Sequence, residues 1–270
     1  MAARAGFERR SKAPRQPCHQ LGRSAVLTYQ KRNGPTMCNL YSVTKGQQAI
    51  RDVAKAMRDT AGNLPLLAGV FPDYPAPIVR TAPEGVRELA KARWGMPTPA
   101  FALLGKKVDR GITNVRNTAS PHWRRWLEPS CRCLVPFTSF SEPGTNADGK
   151  SEPVWFALSE DRPLAFFAGI WTNWTCTRKS AEGAVTCDLF AFLTTDANAE
   201  VGAIHPKAMP VIITTPAEVE LWLTAPWAEA RRLQRSLPDG TLRIVARGAK
   251  QDGADGPPSC PSDAPAKILL

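Results

Sequence analysis

The apolar residues of this chain come in short runs, cut by 25 prolines and 19 glycines. That punctuation limits the fold more than any other feature. An apolar run of four to eight residues between turn formers has the length of a strand. Residues 132–137, 153–158 and 164–171 are such runs, rich in aromatic and β-branched side chains, and they are expected to be strands. Residues 77–80, 86–90, 91–95, 188–195 and 209–213 read the same way. Helical spacing is rarer. Ile50, Val53, Ala54 and Met57 fall at i, i+3, i+4 and i+7, which predicts an amphipathic helix over 47–57. A second helix is expected from 217 to 223. A short one is expected at 121–127, with Ser120 as N-cap and Pro121 in the first helical position. Many strands and few helices predict one α+β domain over a mostly antiparallel sheet. No internal repeat is present.

Charge is unevenly placed. Residues 1–36 hold eight Arg and Lys against the single acid Glu8, so +7 of the net +11 lies there and +4 is left for the other 234 residues. This leader lacks apolar periodicity and reads as a disordered basic segment. It has no apolar core of the kind a secretory signal needs. The preferred reading is an over-extended start, with translation beginning at Met37. The globular domain is expected over 37–250, followed by a loose Gly-, Pro- and Ser-rich tail over 251–270. No apolar run is long enough to span a bilayer, so no membrane partner is expected.

The seven cysteines are odd in number and show no disulfide spacing, which points to a reducing, cytoplasmic setting. Cys131, Cys133, Cys176 and Cys187 lack the C-x2-C pattern of a structural zinc site and are read as small buried residues. No metal and no cofactor are expected.

Four positions can carry chemistry. Removal of Met37 would leave Cys38 with a free α-amine beside its thiol. The two groups titrate near 8 and 8.5, so both nucleophiles are partly available near neutrality. An aldehyde can condense with such an amine, and the thiol can then close a five-membered thiazolidine. Asn114-Val115-Arg116 offers an orienting amide and a planar cation suited to phosphate. Glu142 follows a strongly apolar strand, where a carboxylate can act as general acid or base. His205, one of three histidines, lies between two apolar segments and can exchange protons near neutrality. Each also has an ordinary explanation: a buried thiol, a polar turn, an exposed loop acid, a core histidine bonded to backbone.

In chain order, Met37-Cys38, Arg93-Trp94-Gly95-Met96, Asn114-Val115-Arg116, the segment 132–136, Ser139-Phe140-Ser141-Glu142, the segment 193–198 and His205 through Pro210-Val211 resemble the SOS response-associated peptidase (SRAP) family, the abasic-site processing proteins. The resemblance covers roughly residues 37–245. It implies a barrel-like, mostly antiparallel sheet with flanking helices. It implies that Cys38 attacks the ring-opened aldehyde of an abasic site in single-stranded DNA and forms a thiazolidine crosslink, with no required protein partner. It further implies that Glu142 assists proton transfer at the Cys38 amine and serves the autoproteolytic removal of the residues before Cys38. His205 is implied as the acid/base acting on the abasic sugar, with lyase activity, and Asn114 as the residue holding Cys38 and substrate. Arg116, Trp94 and Pro72 match DNA-facing positions. Three departures bear on DNA grip: Pro143 replaces an aromatic, Asn39-Leu40 replaces Gly-Arg, and the segment after His205 is one residue longer. Two rival readings are an N-terminal-nucleophile Cys amidohydrolase and a noncatalytic single-strand-binding module.

Overall fold

The computed structural model describes residues 39–253. The expectations for the basic leader, Met37, Cys38 and the tail past 253 lie outside the described residues.

Strands dominate. Among the described residues they are β1 (Leu40–Val43), β2 (Arg58–Asp59), β3 (Leu67–Val70), β4 (Pro75–Thr81) and β5 (Arg87–Trp94). Next come β6 (Asn114–Val115), β7 (Arg132–Phe137), β8 (Ser139–Thr145), β9 (Ser151–Ala157) and β10 (Ala165–Thr177). The rest are β11 (Ala184–Thr195), β12 (Met209–Pro210), β13 (Ile212–Ile213) and β14 (Arg243–Arg247).

Five of these strands form a barrel. They run β11–β10–β7–β4–β5 through antiparallel ladders, and a parallel pairing of β5 with β11 closes the ring at Arg93↔Leu189 and Trp94↔Phe190. Closure removes the exposed edges that an open sheet would present. A second, antiparallel sheet has the order β14–β9–β8–β1–β3. The fold is therefore mixed α+β with a barrel, as the residues and the resemblance implied.

Aromatic residues join the two sheets. Tyr41 of β1 stands edge-on to Trp94 at 5.1 Å and to Phe167 at 5.7 Å. Phe140 of β8 stacks on Phe156 at 5.5 Å and meets Phe137 and Phe167 edge-on. Phe137 lies flat on Phe167 at 3.9 Å. All of these are fully or almost fully buried. Each such side chain contributes on the order of 1.5–3 kcal/mol through burial, so this contact holds β1 and β8 firmly against the barrel.

Several local expectations change. The first helix stops at Ala54, because Lys55 turns left-handed (φ 54°). Met57 then lies past the helix, its N–H bound to Arg87 O at 2.9 Å. Ile50 and Ala54 face inward, whereas Val53 and Met57 are exposed. The two runs expected at 86–90 and 91–95 form one strand, Arg87–Trp94, since no turn residue separates Ala90 from Lys91. Ser120 precedes the short helix Pro121–Arg124, but its side chain makes no capping bond. Past residue 250 the described chain stays packed: Asp252 is buried and its N–H reaches Ala68 O at 2.9 Å.

Candidate functional site

β8 carries the site's carboxylate. Side chains alternate along a strand, so Phe140, Glu142 and Gly144 share one face and Ser139, Ser141 and Pro143 the other. Phe140 fixes the first face against the aromatic core. Glu142 is therefore carried inward with it and is 1 % exposed. Pro143 is tolerated inside the strand because it faces Pro153 of β9, so the two residues without an N–H oppose each other.

His205 reaches that carboxylate from a turn. Asn198 caps the short helix Ala199–Gly202, its Oδ1 accepting the Val201 N–H at 3.2 Å. The Val201 carbonyl in turn accepts the His205 N–H at 2.7 Å. Gly144 lets this turn come close: a Cβ there would stand 3.2 Å from Ile204 Cγ2 and 2.6 Å from Val154 Cγ2. The result places His205 Nδ1 3.3 Å from Glu142 Oε2. The same nitrogen lies 3.4 Å from Ala208 O. A nitrogen between two acceptors carries the proton, which leaves Nε2 with its lone pair. Nε2 is buried and has no hydrogen-bond partner among the described residues. Burial, and secondarily the nearby charge of Lys207, push the His205 pKa below its ordinary value, against the opposing pull of the Ala208 carbonyl. The imidazole is thus biased toward its neutral form, with the lone pair at Nε2.

The start of β1 lies beside this pair. β1 and β8 are antiparallel neighbours with Leu40 opposite Ser141. Asn39, the residue covalently attached to Cys38, lines a cleft of about 320 Å³ with Leu40, Ser141, Pro143, Glu152 and Lys250.

The other expected site residues are placed as follows. Asn114 pairs with Phe192 on β11, and its Nδ2 donates to Thr113 Oγ1 at 2.9 Å. Arg116, one residue past β6, is exposed and ion-paired with Asp196. Its carbonyl accepts from Gln234 Nε2 at 2.8 Å. Pro72 is half-buried in the turn between β3 and β4. Trp94 requires a correction. It is fully buried, packs on Phe190 and Phe192, and donates its indole N–H to Thr113 O at 3.1 Å. It faces the protein interior rather than DNA and braces the residue just before Asn114. The structure thus brings Glu142 and His205 into contact, and it ties Trp94 to the Asn114 strand. Two bracing residues escaped the sequence reading. Tyr41 gave no signal because β1 is four residues long, whereas Asn198 could have been found as an N-cap before Ala-Glu-Val-Gly.

Cys133 is buried, and burial pushes its thiol pKa far up, so it is no nucleophile. Among the described residues, no group of three or more His, Cys, Asp or Glu stands close enough to hold a metal ion. Nor is any helix among them long and apolar enough to cross a membrane.

Comparison with known proteins yields one family. The model of the SOS response associated peptidase (SRAP) family matches residues 37–246. Solved structures share the fold. A protein from Bordetella bronchiseptica is 25% identical with a TM-score of 0.58, over 78% of this chain and 98% of that one. A protein from Bacteroides thetaiotaomicron is 22% identical with a TM-score of 0.59, over 76% and 90%. A phage-related protein from Bordetella bronchiseptica is 19% identical with a TM-score of 0.55, over 76% and 92%. No curated protein matches the chain.

Proposed function

The chain belongs to the SOS response associated peptidase family, and from there we propose that it binds single-stranded DNA and crosslinks itself to abasic sites through Cys38. The observation that carries this reading is the buried Glu142–His205 contact at 3.3 Å, on the strand paired with the one that begins two residues after Cys38.

In the proposed reaction the freed amine of Cys38 attacks the aldehyde carbon of the opened sugar. A C–N bond forms, and water leaves to give an imine. The Cys38 sulfur then adds to the same carbon, the nitrogen regains a proton, and the thiazolidine ring closes. One water is lost overall. Glu142 accepts and returns the amine protons, a task for a carboxylate beside the nucleophile. His205, neutral with Nε2 available, takes the C1 hydroxyl proton; the bond between C1 and the ring oxygen breaks, C1 becomes the aldehyde carbon, and the ring oxygen receives the proton from His205. Asn114 orients Cys38 and the substrate, and Arg116 and Pro72 meet the DNA. Glu142 also serves the removal of the residues before Cys38.

The test is a denaturing gel of the native protein with an abasic single-stranded oligonucleotide. Wild type is expected to give a heat-stable shifted band. Cys38→Ser keeps the amine but loses the thiol, so it should give none. A heat-stable band of wild-type intensity from Cys38→Ser would overturn the reading.

A further inference from the structure

The segment 248–253 lies past residue 246, where the family match ends, yet it runs from β9 to β3 of the five-stranded sheet and is bonded to it at Gly248, Ala249 and Asp252. Gly248 N–H binds Pro153 O on β9 at 2.9 Å, and Trp155 Nε1 donates to Ala249 O at 2.8 Å. Further on, Asp252 N–H binds Ala68 O on β3. Gly69 makes room for this path, since a Cβ there would stand 2.9 Å from Lys250 O.

Asp252 is 5 % exposed. Its carboxylate takes both Arg162 Nε and Nη2, at 2.7 and 2.8 Å, and the Ser139 hydroxyl at 2.5 Å. An ionised carboxylate only accepts, so Ser139 must donate to it. The Ser139 oxygen is then free to accept from the Ser42 hydroxyl, 2.7 Å away. A directed chain therefore runs Ser42 to Ser139 to Asp252, anchored by Arg162. Ser42 and Ser139 are register partners across β1 and β8. Ser42 lies four residues after Cys38, and Ser139 three before Glu142.

We infer that Asp252 is a positioning residue for the proposed reaction: through Ser139 and Ser42 it locks the β1–β8 register that sets the start of β1 beside Glu142. The inference rests on the crosslinking reading for its consequence in rate. A slip of one residue between these strands would set the inward-facing residues of one opposite the outward-facing residues of the other. Ser42, Ser139 and Asp252 are buried polar groups, and their directional hydrogen bonds add to the register preference that Tyr41 and Phe140 set by apolar packing on the inner side.

Asp252→Ala should lower the maximal single-turnover crosslinking rate by roughly 10- to 100-fold, the scale of a small misplacement of reacting groups. Noncovalent affinity for the oligonucleotide should stay within about twofold, because the DNA-facing residues are untouched. Asp252→Asn keeps an oxygen for Ser139 and should recover part of the rate. Ser139→Ala keeps the Arg162–Asp252 pair and reads the same register effect if Asp252→Ala unfolds. Amide exchange at residues 40–42 and 139–142 should speed up in each variant, while β10 and β11 stay protected. If wild type forms no crosslink, the proposed reaction fails and exchange alone judges the strap. Wild-type exchange at those residues in Asp252→Ala and Ser139→Ala would overturn the inference, as would equal losses of rate and affinity in both.

Discussion

Arg116 stands between two anions, the Asp196 carboxylate that it binds here and the phosphate it is proposed to hold. Asp196 is 85 % exposed in its side chain, so the pair is a surface ion pair with little intrinsic strength. Asp196→Asn should therefore tighten DNA binding and steepen its salt dependence. Arg116→Ala should flatten the slope by roughly one unit. Titrations of both variants at several salt concentrations check this, and unchanged slopes would take Arg116 off the DNA surface. His205 gives a second prediction. Its pKa is lowered by burial, so the unfolded chain takes the proton first as acid is added. The stability that the neutral ring contributes is complete above about pH 6.5 and is lost as the pH falls below it. The crosslinking rate should likewise hold its plateau below the ordinary histidine range. A rate inflection above pH 6.5 that disappears in His205→Ala would contradict the assignment. Glu142→Gln should slow crosslinking by up to about 10²–10⁴-fold with affinity nearly intact. A preformed small aldehyde should restore much of the His205→Ala rate and none of that of Glu142→Gln. Equal rescue of both would mean the two roles are wrongly divided.

Strand β8 is where the sequence was hardest to read. Ser139-Phe140-Ser141-Glu142-Pro143-Gly144 has proline, glycine and a charge, all signals of a loop, and only Phe140 marks its inward face. Its neighbours decide the outcome: Pro153 opposite Pro143, Ile204 over Gly144, and the aromatic core beneath Phe140. By contrast β7 and the first half of β10 are buried on both faces and were legible, because a strand buried on both faces reads as a nearly continuous apolar run. The Trp94 misreading has the same origin as β8. The resemblance alone implies a DNA-facing Trp94, whereas the closure of β5 on β11 turns its ring inward onto Phe190 and Phe192. Trp94→Phe keeps most of the packing but removes the indole bond to Thr113 O. It should slow crosslinking through Asn114 and cost about 0.5–1.5 kcal/mol for the lost hydrogen bond, since Thr113 O still accepts from Phe192 N–H at 3.4 Å. Chemical denaturation and single-turnover rates measure the two effects. A rate equal to wild type would separate Trp94 from the Asn114 strand.

On the scale of the whole molecule, the barrel supports and the second sheet presents. The barrel gives a rigid aromatic floor, and β1 and β8 lie on it, with Glu142 facing inward to meet His205. Fold class and the order of the chemical residues were readable from short apolar runs and from motifs in sequence. The contact between Glu142 and His205 was not, because 62 residues separate them and a turn capped by Asn198 brings them together. The account stands on Cys38 as an N-terminal nucleophile. The most direct measurement is mass spectrometry of the crosslinked species after nuclease and protease digestion. The account predicts an N-terminal peptide that begins at Cys38 and carries the abasic sugar fragment with the loss of one water. A crosslinked peptide that retains residues before Cys38, or an adduct on any other residue, would contradict it.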